Sequence, residues 1–177
     1  MTQYLKSDKI TLRAIEPEDI ELLYRWENNS EVWEVSDTLA PFSKYLIALY
    51  IKNSDKDIYE SKQLRLMIES AEGRAVGSID LFDFEPHHSR AGIGILIAEK
   101  EDRQNGYASE ALKLVLEYCF SRLNLHAVYA NIDANNEASI GLFKKFGFEL
   151  AGTRKDWIRD ARGWKDEHLF QLINPED

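Results

Sequence analysis

Apolar and polar residues alternate or recur along the chain in a way that fixes most of its elements. Ile10 and Leu12 alternate with Thr11 and Arg13, the pattern of a half-buried strand. Glu16-Pro17-Glu18-Asp19 then places a proline and acids where a first helical turn favours them, which predicts a helix reaching about Asn28. Ser43 is a plausible N-cap for a second helix through Leu46, Leu49 and Tyr50, ending near Asn53-Ser54-Asp55. Alternation resumes over 63–69, with Leu64, Leu66 and Ile68 on one face, and again over 76–85 and 91–98, predicting an antiparallel meander. Ala108, Ala111, Leu112, Val115, Leu116, Cys119, Phe120 and Leu123 form a stripe at spacings of three and four that only a helix produces. A strand over 128–133, a short helix over 137–146 before Gly147, and two strands turning near Ala161-Arg162-Gly163 complete the order β-α-α-β-β-β-α-β-α-β-β.

Composition narrows the class of protein. The 177 residues contain no visible repeat, low-complexity run or linker, so the expectation is one domain over 1–177. A formal net charge of −9 disfavours nucleic-acid binding and favours a cationic partner. Cys119 is the one cysteine, which excludes an internal disulfide, and it lacks zinc-ligand spacing around it, so no metal site is expected. The longest apolar stretch, 92–98, is far shorter than a membrane helix requires, and the N-terminus lacks a signal-peptide pattern. These features predict a cytoplasmic protein with no membrane partner.

The chemistry is expected around Arg103-Gln104-Asn105-Gly106-Tyr107-Ala108, between an apolar strand and the long helix. Backbone N–H groups and the helix dipole can receive an anion there, Gly106 permits a special backbone conformation, and Ala108 leaves room for a bulky ligand. A tight strand-to-helix turn would use the same residues. The loop is neither a P-loop nor a dinucleotide fingerprint.

This loop, followed by a strand and then Asn136-Glu137-Ala138-Ser139-Ile140-Gly141-Leu142-Phe143-Lys144-Lys145-Phe146-Gly147-Phe148, resembles the GCN5-related N-acetyltransferases, the GNAT family. The resemblance runs from the Leu12-Arg13 strand to the last strand at 164–173, and Leu123-Asn124-Leu125-His126 is similar to the spermidine and ribosomal-protein alanine N-acetyltransferases. It implies a mixed α/β (α+β) fold with a mostly antiparallel sheet of about seven strands, splayed between the fourth and fifth and flanked by four helices. It implies acetyl-CoA as co-substrate, with Arg103, Gln104, Asn105, Gly106, Tyr107, Ala108 and Ser109 at the pyrophosphate. The backbone of Ile95, Leu96 and Ile97 would pair with the pantetheine arm and Asn136 would contact it. Gly92 and Gly94 are compatible with close ligand approach, or with a bulge or crowded packing. The loop has one residue more than many relatives between Ala98 and Gly106, so individual phosphate oxygens are not assigned.

The chain departs from the family at both usual catalytic positions. Phe143, grouped here with the cofactor-binding residues, stands where a tyrosine often serves as acid, and Gly92 stands where a glutamate often serves as base. Asp80, at a position resembling an acidic site of spermidine acetyltransferases, is the expected replacement. Asp83 falls on the opposite face by strand parity unless a bulge intervenes. His87 and His88 read as an exposed hairpin turn, Lys144-Lys145 as a solvated helix face although Lys145 could approach the nucleotide phosphate, and Tyr129, Trp157 and Trp164 as packing aromatics. The segment 27–37 joins the first two predicted helices where the family covers the acceptor. Glu31, Trp33 and Glu34, with Asp83, could hold a cationic amine there, while an acidic surface loop with Trp33 packed inward fits equally. The expected reaction is direct acetyl transfer to a primary amine, that of a polyamine-like or other small amino compound or of a basic protein N-terminus. The alternative is an acyl-CoA sensor without turnover. A homodimer through an exposed final strand is expected.

Overall fold

The structure is a computed structural model that describes residues 3–36 and 38–177, apart from the side chains of 3 and 34–36. Strands β1 (Ile10–Arg13), β2 (Leu64–Ser70), β3 (Ala75–Glu85), β4 (Arg90–Ile97), β5 (Ala127–Asp133), β6 (Glu149–Asp160) and β7 (Gly163–Ile173) form one sheet in the order β1-β2-β3-β4-β5-β7-β6. Every neighbouring pair is antiparallel except β4 and β5. The helices are α1 (Ile20–Glu27), α2 (Ser30–Ser36), α3 (Lys44–Lys52), α4 (Ile58–Ser61), α5 (Tyr107–Glu117), which runs into a π turn at Tyr118–Arg122, and α6 (Glu137–Lys145).

The mixed α/β sheet matches the expectation, but six helices replace the four. The added ones are short. Within the segment read as a connection, Asn29 accepts from the Glu31 N–H and starts α2, which buries Val32. Asp57 caps α4 by accepting from the Glu60 N–H, and Lys62, at φ +59°, ends it after one turn.

The period-two pattern of the strands sorts side chains to two faces. Leu66, Ile68, Ile79, Leu81, Ile93, Val128, Ala130 and Ile132 meet Ala111, Leu112 and Val115 of α5 and Phe143 of α6. On the other face, Met67 packs with Leu23 and Trp26 of α1, Ile47 of α3 and Ala98. Each such Val, Leu, Ile, Met or Phe side chain, fully buried, contributes about 1.5–3 kcal/mol. Among the described residues, the helices on the second face pack over Met67 of β2, Ala75 of β3 and Ala98, while Tyr129, Asn131 and Gln171 of β5 and β7 line an open concavity.

Two departures from regular strand geometry shape that open face. Gly92 is opposite Phe82, and a Cβ on Gly92 would run into the Phe82 ring, so this glycine accommodates the chain's own aromatic residue rather than a ligand. A register shift follows between Phe82 and Glu85, with Asp83 at φ +47°. The shift breaks the parity count. Phe84 turns into the core beside Ile79 and Leu81, and Asp83 comes to the same side as Phe82.

Ion pairs pin the periphery of the sheet. Arg74, in the β2–β3 hairpin, donates to both oxygens of buried Asp102 at 2.6 and 2.7 Å, anchoring the turn after β4. Arg13 grips Asp19 at 2.8 and 2.9 Å and Glu69 at 2.6 Å. The Arg74 guanidinium holds the Asp102 carboxyl below the usual range against burial. At Asp19 burial pushes upward, but the Arg13 bonds and the Glu16 N–H bring the net shift downward. Both carboxylates therefore contribute stability that is complete above their unfolded pKa of about 4 and is lost as the pH falls below it. Urea unfolding from pH 7 to 3 is expected to show midpoints falling steeply below about pH 4. Asp102→Asn is expected to be less stable at pH 7 and to have a shallower acid slope; an unchanged slope would remove Asp102 from this account.

Candidate active site

β4 and β5 pair over three positions, Arg90↔Ala127, Ala91↔Val128 and Gly92↔Tyr129, and then part. Each stays bound to its other neighbour: β3 follows β4 to Ile97, and β7 follows β5 to Asp133. A wedge opens in the middle of the sheet, with the backbone of 93–97 along one wall. The expected pantetheine contacts Ile95, Leu96 and Ile97 line this wall. Gly94 has open space on its Cβ side beyond the Phe82 ring edge.

The wedge runs toward the turn that leads into α5. Gln104 and Gly106 both have positive φ, +62° and +79°, a kinked path that turns successive N–H groups inward. The N–H groups of Gln104, Asn105, Gly106, Tyr107, Ala108 and Ser109 have no acceptor among the described residues. They sit at the positive end of α5. Two ammonium groups flank them. Lys9 Nζ lies over the Tyr107 ring at 5.6 Å and beside Gly106, where an added Cβ would approach it to 3.0 Å. Lys145 Nζ donates to Ser109 Oγ at 3.1 Å. Unpartnered amides, a helix N-terminus and two cations fit a diphosphate with an adjoining phosphate.

Other predicted cofactor residues are engaged by the protein. The Arg103 guanidinium donates to the carbonyls of Ile97 and Ala98 at 3.3 and 3.4 Å, and Asn105 Nδ2 to that of Glu101 at 2.8 Å. These bonds shape the turn. Asn136 accepts from the Ser139 N–H at 3.1 Å and caps α6, which leaves its amide N–H groups to donate elsewhere. Phe143 is buried edge-on against Phe148, 4.9 Å between centroids, as part of the core rather than of an open cofactor surface. Cys119 is also buried, and burial pushes its thiol pKa up to about 12, so it is no nucleophile here.

On the open face, at the apex of the wedge, the Tyr129 hydroxyl donates to Asp83 Oδ2 at 3.3 Å, and its ring meets Phe82 edge-on at 5.8 Å. Burial, and then the Asp83 charge and bond, raise the Tyr129 pKa, so the phenol stays protonated. Asp83, Tyr129, Arg90, Asn131, Arg154, Leu169 and Gln171 line a concavity of about 410 Å³. Nothing local in the sequence separates Tyr129 from a packing aromatic; only the bulge at Asp83 gives it this partner.

Asp80 does not stand as the free carboxylate expected of a base. Both its oxygens accept from Arg65, at 2.7 and 2.8 Å, and Arg65 also donates to Glu27 at 2.8 Å and lies over the Tyr50 ring. Burial opposes the Arg65 charge, but Asp80, Tyr50 and Glu27 outweigh it and raise its pKa; burial likewise raises that of Tyr50. Glu31 faces Lys100 at 2.7 Å and Arg103 at 3.9 Å, so it ties α2 to the anion-binding turn. The indole N–H of Trp33 donates to the Glu27 carbonyl, which turns Trp33 inward. The side chain of Glu34, and Asp37, lie outside the described residues. Trp157 and Trp164 are each 60% exposed and carry Arg154 and Arg159 over their rings, instead of packing inside.

A splayed parallel pair ending in a turn of free amides defines an acyl-CoA-dependent transferase. Residues 9–149 match the family described as Acetyltransferase (GNAT) domain, and the chain belongs to that family. It is 31% identical over 145 residues to spermidine N(1)-acetyltransferase of Escherichia coli strain K12, covering 81% of this chain and 74% of that one. It is 28% identical over 179 residues to the uncharacterized N-acetyltransferase YoaA of Bacillus subtilis strain 168, covering the whole of both. The fold matches the crystal structure of spermidine N-acetyltransferase from Vibrio cholerae in complex with CoA and spermine, with a TM-score of 0.84 and 24% identity over 94% of this chain and 96% of that one. The protein is thus an acetyl-CoA-dependent amine N-acetyltransferase.

Gly106→Ala, which forces a side chain into a left-handed position and toward Lys9, is expected to cost about 1–2 kcal/mol of stability. It should also weaken CoA binding about tenfold in calorimetric titration. Gly163→Ala, at φ +128° in the distant β6–β7 hairpin, carries a backbone penalty without this loss. Equal effects of the two on CoA affinity would separate the turn from the cofactor.

Proposed function

We propose that residues 1–177 form one N-acetyltransferase domain that acetylates the primary amine of a small molecule presented on the open face at the apex of the β4–β5 wedge. The observation that carries this reading is the Asp83–Tyr129 pair beside the last rung joining the two strands. The relatives named spermidine N(1)-acetyltransferases support a small amine acceptor. A concavity of about 410 Å³ favours a small compound over a protein N-terminus.

An amine arrives as its ammonium. The Asp83 carboxylate attracts it, the Tyr129 oxygen can accept from it, and the faces of Phe82 and Tyr129 tolerate its charge. Asp83 then takes a proton, leaving the nitrogen neutral for attack on the thioester carbonyl, which acetyl-CoA supplies. Main-chain N–H groups of 93–97 polarise that carbonyl. After the N–C bond forms and the C–S bond breaks, the second amine proton passes through water to the thiolate, because Phe143 has none to give. Positioning supplies the rest of the acceleration. Asp80, through Arg65, holds Glu27 of α1 and the Tyr50 ring of α3 against the sheet, and so acts as a positioning residue for the acceptor face.

Lone Cys119, and the absence of any helix among the described residues long and apolar enough to cross a membrane, support a cytoplasmic setting. Any homodimer through the C-terminal hairpin would use β6. The expected final strand, β7, is paired on both sides, and β6 is the edge of the sheet.

Asp83→Asn is expected to lower kcat/KM for the best amine by about 10²–10³-fold, within the range of general-base catalysis, with CoA affinity unchanged. Tyr129→Phe is expected to lower it less. Thiol release over an acceptor panel is the readout. CoA binding with no release from any amine would instead favour a sensor without turnover.

A further inference from the structure

The concavity beside Asp83 and Tyr129 has a charge pattern that a simple polyamine does not match. Two of its lining residues are arginines, Arg90 and Arg154, against one carboxylate, Asp83. Arg90 lies two residues before Gly92 and so on the same face of β4, about 7 Å along the strand. Its partners across the ladders are Ala127 and Glu85. Among the described residues no carboxylate or carbonyl accepts from its guanidinium, and it is exposed to the groove. Arg154 uses Nη1 on Asn131 at 3.1 Å and on Glu167 at 2.7 Å, which fixes its plane and leaves Nε and Nη2 free to donate. Both arginines are close enough to oppose the upward shift of the Tyr129 phenol. Gln171 adds an amide from β7.

Resting on the reading above, we infer that the acceptor is an amino carboxylate: its amine is held at Asp83 and Tyr129 while its carboxylate is held by Arg90, with Arg154 lending a second fork. The two ends are complementary. A carboxylate on Arg90 gains charge-assisted, bidentate hydrogen bonds that no group of this chain now provides. The second ammonium of a polyamine would face two guanidiniums at the same distance. The net charge of −9 draws in any cation, and Glu167 offsets Arg154, so selection falls to the guanidinium of Arg90, which has no carboxylate partner among the described residues. Arg90 is exposed and engages no other side chain, so its replacement disturbs no packing.

The test is thiol release from acetyl-CoA with three sets of acceptors: the standard L-amino acids, their carboxamides, and spermidine. The best amino acid is expected to exceed its carboxamide by at least tenfold in kcat/KM and to exceed spermidine. Arg90→Gln is expected to raise KM for the amino acid about 10–100-fold with kcat kept, to leave the carboxamide unchanged, and to leave the thermal midpoint where it was. Carboxamides as good as the acids, or an Arg90→Gln variant that treats both alike with wild-type constants, would overturn the inference. Turnover of spermidine alone would overturn it while leaving small-amine acetylation standing, whereas no turnover of any acceptor would overturn both.

Discussion

The structure depends on two parallel neighbours that pair for three rungs and no more. β4 follows β3 and β5 follows β7 along their lengths, so neither strand can follow the other once the sheet's twist draws those outer partners apart. An unpaired backbone edge is thereby held in the middle of a sheet, where edges are normally eliminated. A short turn over 98–103, whose N–H groups at Ala98, Asp102 and Arg103 are bonded within the protein, joins it to the free amides at 104–109, so one segment of chain leads from the hydrogen-bonding wall to the candidate anion-binding turn. The core on the α5 side keeps that stretch rigid: Ile93 is fully buried and Ile95 and Ile97 pack against the same cluster. The Arg74–Asp102 pair anchors the turn from the far side.

Cofactor and acceptor groups come from different faces but are mechanically joined. Glu31 of α2 reaches Lys100 and Arg103 of the turn, and Arg103 in turn bonds the last carbonyls of β4. Arg65 links β2 to α1 through Glu27 and to β3 through Asp80. Glu31, which the sequence reading assigns to an incoming amine, and Asp80, which it assigns as the base, are already committed to these internal ties. A bound carboxylate still contributes to the field, but its best acceptor directions are taken, which leaves Asp83 as the acid at the apex whose one protein partner is a neutral phenol.

The sequence made the sheet and the long helix legible because periods of two and of three to four residues survive any detail of packing. The anion-binding turn was legible because Gly106 sits between two strongly patterned elements. Short elements were not: α2 and α4 span too few residues for a period to register. The bulge at Asp83 changes no residue type, yet it reverses which face the residue occupies; parity holds only without a bulge, and the sequence does not mark one here. Gly92 was ambiguous for a related reason, since its occupant, Phe82, is ten residues away and becomes its neighbour only through the hairpin register. Lys145, read from the sequence as able to approach the nucleotide phosphate, does reach the turn at Ser109, whereas Lys9 comes from a position far along the chain that no local signal marks.

Net charge illustrates the same limit in electrostatic terms. A total of −9 describes the field averaged over the whole surface, which salt screens beyond about 8–10 Å. Inside that radius individual groups decide, and the concavity beside Asp83 is lined by Arg90 and by Arg154, the latter paired with Glu167. On the proposed reading, a protein that is acidic overall and gathers cations to its surface presents beside its acceptor site a guanidinium, Arg90, that disfavours a second ammonium. Phe143 and Gly92, which by resemblance stand where the family often carries a tyrosine and a glutamate, fit that arrangement. The ring of Phe82 fills the place a side chain on Gly92 would occupy, and Tyr129, edge-on to that ring, meets Asp83, the pair to which the polar work is proposed to fall.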